Sequence, residues 1–62
     1  MKQLDLIRLL TQEHSVVFVR HGGDHDWYRN IVTGRREAIP RHREIDERLA
    51  RKIIKKLSNS IV

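Results

Sequence analysis

The chain has 62 residues, 39% of them apolar and 34% charged, and its 13 Lys and Arg against 8 Asp and Glu leave a formal charge of +5. A length of this kind holds one domain, residues 1–62, that buries only roughly 60% of the surface its unfolded chain exposes; it leaves no room for a second domain and little for a deep cofactor pocket, so no cofactor is expected. The absence of cysteine excludes a disulfide framework and thiolate metal ligands. No signal peptide or long apolar run is visible, which points to a cytoplasmic protein without a membrane partner.

The basic excess gathers after Arg20 and calls for a polyanionic partner, nucleic acid first, with an acidic protein or simple solubility as the alternatives. In chain order, Leu6, Ile7 and Leu10 with Leu9 nearby predict a short amphipathic helix over the first dozen residues, weakly capped because Lys2 and Gln3 stand where Ser, Thr or Asp is favoured. Val16-Val17-Phe18-Val19-Arg20 is branched and aromatic, too short for a helix, and reads as a buried strand. Gly22-Gly23 permits a tight reversal, after which His25 to Asn30 returns antiparallel. Period two puts His25, Trp27 and Arg29 on one face of that strand and Asp26, Tyr28 and Asn30 on the other, with Tyr28 in the core.

Thr33-Gly34 marks a turn, and Arg35 to Ile39, ended by Pro40, predicts a third strand. Asp46 is a candidate N-cap for a helix reaching about Leu57, with Leu49, Ile53 and Leu57 in a stripe beside Ala50 and Ile54. Arg48, Arg51, Lys52, Lys55 and Lys56 cover its opposite side, most simply as a solvated face. The expected fold is α+β, helix-strand-strand-strand-helix, with both helices on one face of a three-stranded antiparallel sheet and the other face open.

The chemistry concentrates in Arg20-His21-Gly22-Gly23-Asp24-His25-Asp26-Trp27-Tyr28. A metal site would draw on His21, Asp24, His25 and Asp26, but strand alternation turns Asp24 and Asp26 away from His25, so no metal is expected. His25 also suits proton transfer on a phosphodiester. RNA brings its own nucleophile in the 2′-hydroxyl, so cleavage needs a base, a proton for the leaving oxygen and cations at the phosphoryl oxygens. Arg20, Arg29, Arg35, Arg36, Arg41 and Arg43 are the available cations. From the residues alone, His25 is equally an ordinary surface histidine of a hairpin. Trp27 is either a platform for an unpaired base or an anchor for a protein partner, and His42 either a second acid, a phosphate ligand or a solvated loop residue.

Taken together, Met1-Lys2 with Leu6-Ile7-Arg8-Leu9-Leu10, Val19-Arg20, Gly22-Gly23-Asp24-His25, Ile39-Pro40-Arg41-His42 and Leu49-Ala50-Arg51-Lys52-Ile53-Ile54-Lys55-Lys56-Leu57 resemble, in order and spacing, the HicA family of toxin RNases. The resemblance spans nearly the whole chain. It implies a fold like the double-stranded-RNA-binding domain and metal-independent cleavage of messenger RNA with His25 as the essential residue. It also implies neutralisation by a HicB-type antitoxin that covers His25. The chain departs from the family where a glycine commonly precedes the first strand, here His14-Ser15, and where one follows the last helix, here Ser58-Asn59, although asparagine tolerates the left-handed conformation.

The sequence therefore leads to a small toxin endoribonuclease with His25 catalytic and Arg20, Gly22, Gly23, Trp27, Arg29, Arg36, Arg41 and His42 as its RNA-contacting set, with no direct DNA binding expected from this chain alone. The alternatives are a non-catalytic RNA-binding module on the same basic surface and a protein-interaction domain that uses the open sheet face and Trp27.

Overall fold

A computed structural model describes residues 1–59 and places five elements in the order α1 (Gln3–Glu13), β1 (Val16–Gly22), β2 (His25–Asn30), β3 (Arg36–Pro40) and α2 (Glu47–Leu57). The strands form one antiparallel sheet in the order β1-β2-β3, so the α+β arrangement expected from the sequence is the one found. Each strand follows its neighbour through a short turn, and β2 alone has a partner on both sides.

α1 begins without a side-chain cap at Lys2. Its entry is held by backbone instead: Lys2 bridges Glu44, the Gln3 N–H donates to the Arg43 carbonyl at 3.0 Å, and the Ile45 N–H donates to the Met1 carbonyl at 2.7 Å. The chain segments that precede the two helices thus hold each other. α2 carries the capping its sequence predicts, with the Asp46 carboxylate accepting from the Arg48 and Leu49 N–H groups at 3.1 and 3.3 Å.

Leu6 and Leu10 of α1, Ala50, Ile53 and Leu57 of α2, and Val16, Tyr28, Ile39 and Ile45 form one buried cluster between the helices and one sheet face. α2 packs against β3, and α1 against β1 and α2.

Two sequence expectations need correction. Val16–Arg20 is not a buried strand: β1 runs on to Gly22, and only Val16 is buried, whereas Val17, Phe18 and Val19 are 42, 47 and 42% exposed. The cause is position. β1 is an edge strand of a sheet covered on one face only, and Val17 lies opposite Arg29 on the uncovered face, so an apolar run does not by itself secure burial. Nor does Asn59 end α2 in a left-handed residue. Ser58 is extended at φ −71° and ψ 158°, and the left-handed non-glycine among the described residues is Ser15, at φ 57° in the α1–β1 connection. Ser15 stands where the family glycine was expected; it adopts the glycine-like conformation, at a cost of about 1–2 kcal/mol to an L-residue.

Tyr28 is the single tyrosine, buried beneath the helices with the ring of Phe18 edge-on at 5.6 Å. Burial first, and the charge of Asp26 second, raise its pKa above the ordinary 10.0. A phenol that holds its proton more tightly when folded contributes stability in full below the unfolded value and loses it as pH rises through the folded one. Tyrosinate absorbance is therefore expected to appear above the pH at which free tyrosine ionises, together with loss of helical circular dichroism. Asp26→Asn should remove only the smaller part of the shift. Ionisation of Tyr28 at the free-tyrosine pH in folded protein would contradict this burial.

Candidate functional site

The β1–β2 hairpin closes through a two-residue loop, Gly23-Asp24, between the paired residues Gly22 and His25. Gly23 has φ +57°, a conformation natural to glycine at the first central position of a tight hairpin. Arg41, just beyond β3, holds this loop: its backbone N–H donates to the Asp24 carbonyl at 3.0 Å and its Nη1 to the Gly23 carbonyl at 3.1 Å. Arg41 was expected among the RNA contacts, and the structure gives it a prior engagement as the clasp of the loop that precedes His25.

Pairing runs regularly from Val16↔Asn30 to Phe18↔Tyr28, then shifts by one residue so that Arg20 faces Trp27, His21 faces Asp26 and Gly22 faces His25. Val19 is the extra residue of a β-bulge. The bulge reconciles two demands. Val16 and Phe18 belong on the helix side opposite Asn30 and Tyr28, yet closure of the loop at Gly22–His25 requires the other register. The consequence reaches the surface, because opposed residues share a face. Arg20 is delivered to the open face beside Trp27, and His21 to the helix side beside Asp26.

His25, Trp27 and Arg29 of β2, Val17, Arg20 and Gly22 of β1, and Arg36, Ala38 and Pro40 of β3 share the open face by register. His25, Arg20, Arg29 and Arg36 are exposed, and none of the three arginines is in an ion pair among the described residues. Their neighbours in the strands, Gly22 and Pro40 on either side of His25, leave the imidazole uncrowded.

Trp27 is half-buried rather than fully exposed. A Cβ built on Gly22 would come within 3.1 Å of the indole Cδ1 and Nε1, so the ring leans over Gly22 toward the His25 end of the sheet. Gly22 thus matters through the absence of its side chain. With Val19, Arg20 and Arg36, Trp27 lines a hollow of about 90 Å³ on this face.

The remaining sequence candidates fall elsewhere. His21 Nδ1 lies 2.8 Å from Asp26 Oδ1, with Arg41 Nε 3.9 Å from the same oxygen, on the side of the sheet opposite His25. Among the described residues no group of three His, Asp or Glu side chains gathers where a metal ion would sit. His42 is exposed two residues beyond Pro40, the strand partner of His25, and no hydrogen bond joins the two imidazoles.

Sequence reasoning assigned no role to Asn30, which is fully buried at the end of β2. Its Nδ2 lies within hydrogen-bonding distance of the His14 carbonyl at 2.6 Å, the Leu57 carbonyl at 2.8 Å and Asn59 Oδ1 at 2.8 Å. Its Oδ1 accepts from the Val32 and Thr33 N–H groups at 2.7 and 3.0 Å. One side chain therefore joins the ends of both helices to the β2–β3 turn. The available signal was an asparagine directly before a turn, where its amide can bond the backbone two residues on.

No family model, no curated protein and no solved structure matches the chain.

Proposed function

We propose that this protein is a metal-independent endoribonuclease of the HicA kind, a cytoplasmic toxin that cuts messenger RNA with His25 and is silenced by a HicB-type antitoxin covering that residue. The observation that carries the reading is the open sheet face, where an exposed imidazole shares one surface with Trp27 and three unpaired arginines, Arg20, Arg29 and Arg36. The fold, likened to a double-stranded-RNA-binding domain, supplies a rigid middle strand for that imidazole. Among the described residues no helix is long and apolar enough to cross a membrane.

In the proposed reaction the RNA 2′-hydroxyl attacks the adjacent phosphorus and the bond to the 5′-oxygen breaks. His25 takes the 2′-hydroxyl proton or supplies the one the leaving oxygen needs, and water exchanges the other. The arginines stabilise charge on the non-bridging oxygens, and Trp27 stacks a flanking base. Products would be a 2′,3′-cyclic phosphate and a 5′-hydroxyl.

Among the described residues no side chain hydrogen-bonds the His25 ring, so none of them fixes its orientation through such a bond. That favours, as a second reading, a non-catalytic RNA-binding module on the same surface. One experiment separates the two. Purified protein with single-stranded RNA under exhaustive chelation is expected to give fragments ending in cyclic phosphate, and to leave DNA of the same sequence intact for want of the 2′-hydroxyl. Binding without cleavage under every metal condition would establish the second reading. Cleavage that appears only with one divalent ion would overturn the metal-independent mechanism.

A further inference from the structure

Arg35 and Arg36 at the start of β3 and Lys52, Lys55 and Lys56 of α2 line a groove of about 470 Å³. All five side chains are exposed. Glu37, 3.8 Å from Lys56, is the one carboxylate in ion-pair range of any of them among the described residues. Lysines near a helix C-terminus interact favourably with its dipole, which accounts for Lys55 and Lys56 in isolation. It does not account for the rest. Lys52 repels Lys55 and Lys56 at i,i+3 and i,i+4 spacing, and the packing of α2 on β3 brings two arginines of another element against the same three charges. Such a concentration of one sign is a binding surface for a polyanion.

Its position says which one. Arg36 lines both this groove and the smaller hollow that holds Arg20 and Trp27, so one cation of the outer strand β3 borders both. Arg36 pairs with Arg29, four residues along β2 from His25, a span of about 13 Å at about 3.3 Å per residue. We infer that the groove holds the phosphate backbone of a single RNA strand a few nucleotides from His25, the strand crossing Trp27 and turning at Arg36 onto α2. The inference rests on the chain's being an RNA-binding protein and not on its cutting RNA.

The test uses His25→Ala protein, which would bind without cleaving, and measures the affinity of a single-stranded RNA dodecamer and of a trinucleotide across a salt series. Adding Lys52→Gln, Lys55→Gln and Lys56→Gln is expected to lower the salt slope for the dodecamer by about 2, at about 0.7 per lost phosphate contact, or about a hundredfold in affinity at 0.1 M salt from a common 1 M reference. Trinucleotide affinity should not change, and the corresponding triple arginine variant should keep the dodecamer slope. Glutamine is a good helix former, and circular dichroism checks that α2 persists. A dodecamer slope untouched by the glutamines overturns the groove and leaves the RNA reading standing. Equal losses for both oligonucleotides overturn it as well, as does a polyglutamate peptide that binds as tightly as the dodecamer. Failure of the dodecamer to bind the His25→Ala protein at all would remove the RNA reading and the groove with it.

Discussion

His25→Ala protein is expected to lose RNA cleavage by about a hundred- to ten-thousand-fold, the range a positioned proton-transfer group contributes, while melting at the same temperature as the parent. The expectation of an intact fold follows from the site. His25 is exposed at the first position of the middle strand, between Gly22 and Pro40, and its side chain holds no hydrogen bond among the described residues. Surface substitutions of this kind are usually within about 0.5 kcal/mol of neutral. Initial cleavage rates and thermal melts on the same preparation decide the matter. A folded variant with full cleavage would end the catalytic assignment, and an unfolded one would show that His25 serves the hairpin instead.

The largest effect on stability is expected at Asn30. Asn30→Ala leaves the His14 and Leu57 carbonyls and the Val32 and Thr33 N–H groups without the partner they now share; the Leu57 bond is buried and the others partly so, and a polar group stranded out of reach of water costs about 1–3 kcal/mol. A core in a chain this small rarely supplies more than about 3–5 kcal/mol, so the variant should be largely unfolded at room temperature. Asn30→Asp should fare little better, because it presents a carboxylate to two carbonyl oxygens where the amide presented its protons. Urea titrations followed by circular dichroism provide the check. A midpoint for Asn30→Ala equal to that of the parent would mean that water satisfies these groups and that Asn30 is no tie between the helices.

Gly22 and Arg41 support the hairpin that presents His25. Both lie beside His25, and both were expected to touch RNA. Gly22 leaves room for the Trp27 indole, and Arg41 is engaged with the Gly23 and Asp24 carbonyls while its side chain stays 52% exposed. On the proposed reading both residues also shape the hairpin that carries His25.

Much of the architecture is local and was therefore legible in the residues. Asp46 caps α2 through its own side chain, the Leu49–Ile53–Leu57 stripe has helical period, and Gly23 permits the turn that starts β2 at His25; each needs only residues a few positions apart. Period two likewise assigned His25, Trp27 and Arg29 to one face and Tyr28 and Asn30 to the other without reference to the rest of the molecule.

Burial of β1 was not local. An apolar run reads the same whether a second layer covers it or not, and only the tertiary arrangement makes β1 an edge strand that buries Val16 and leaves Val17, Phe18 and Val19 exposed. The Val19 bulge was equally hidden, since it arises from conflict between the register of the hairpin loop and that of the core, and neither is visible until the helices choose a face. Two further features depended on elements distant in the chain. Asn30 became a tie because His14, Leu57 and Asn59 converge on it, and five separate cations became one groove because α2 packs against β3. Sequence alone determined the elements and the candidate side chains they carry, because capping, period and turn geometry act over a few residues; packing decided which of those side chains meet.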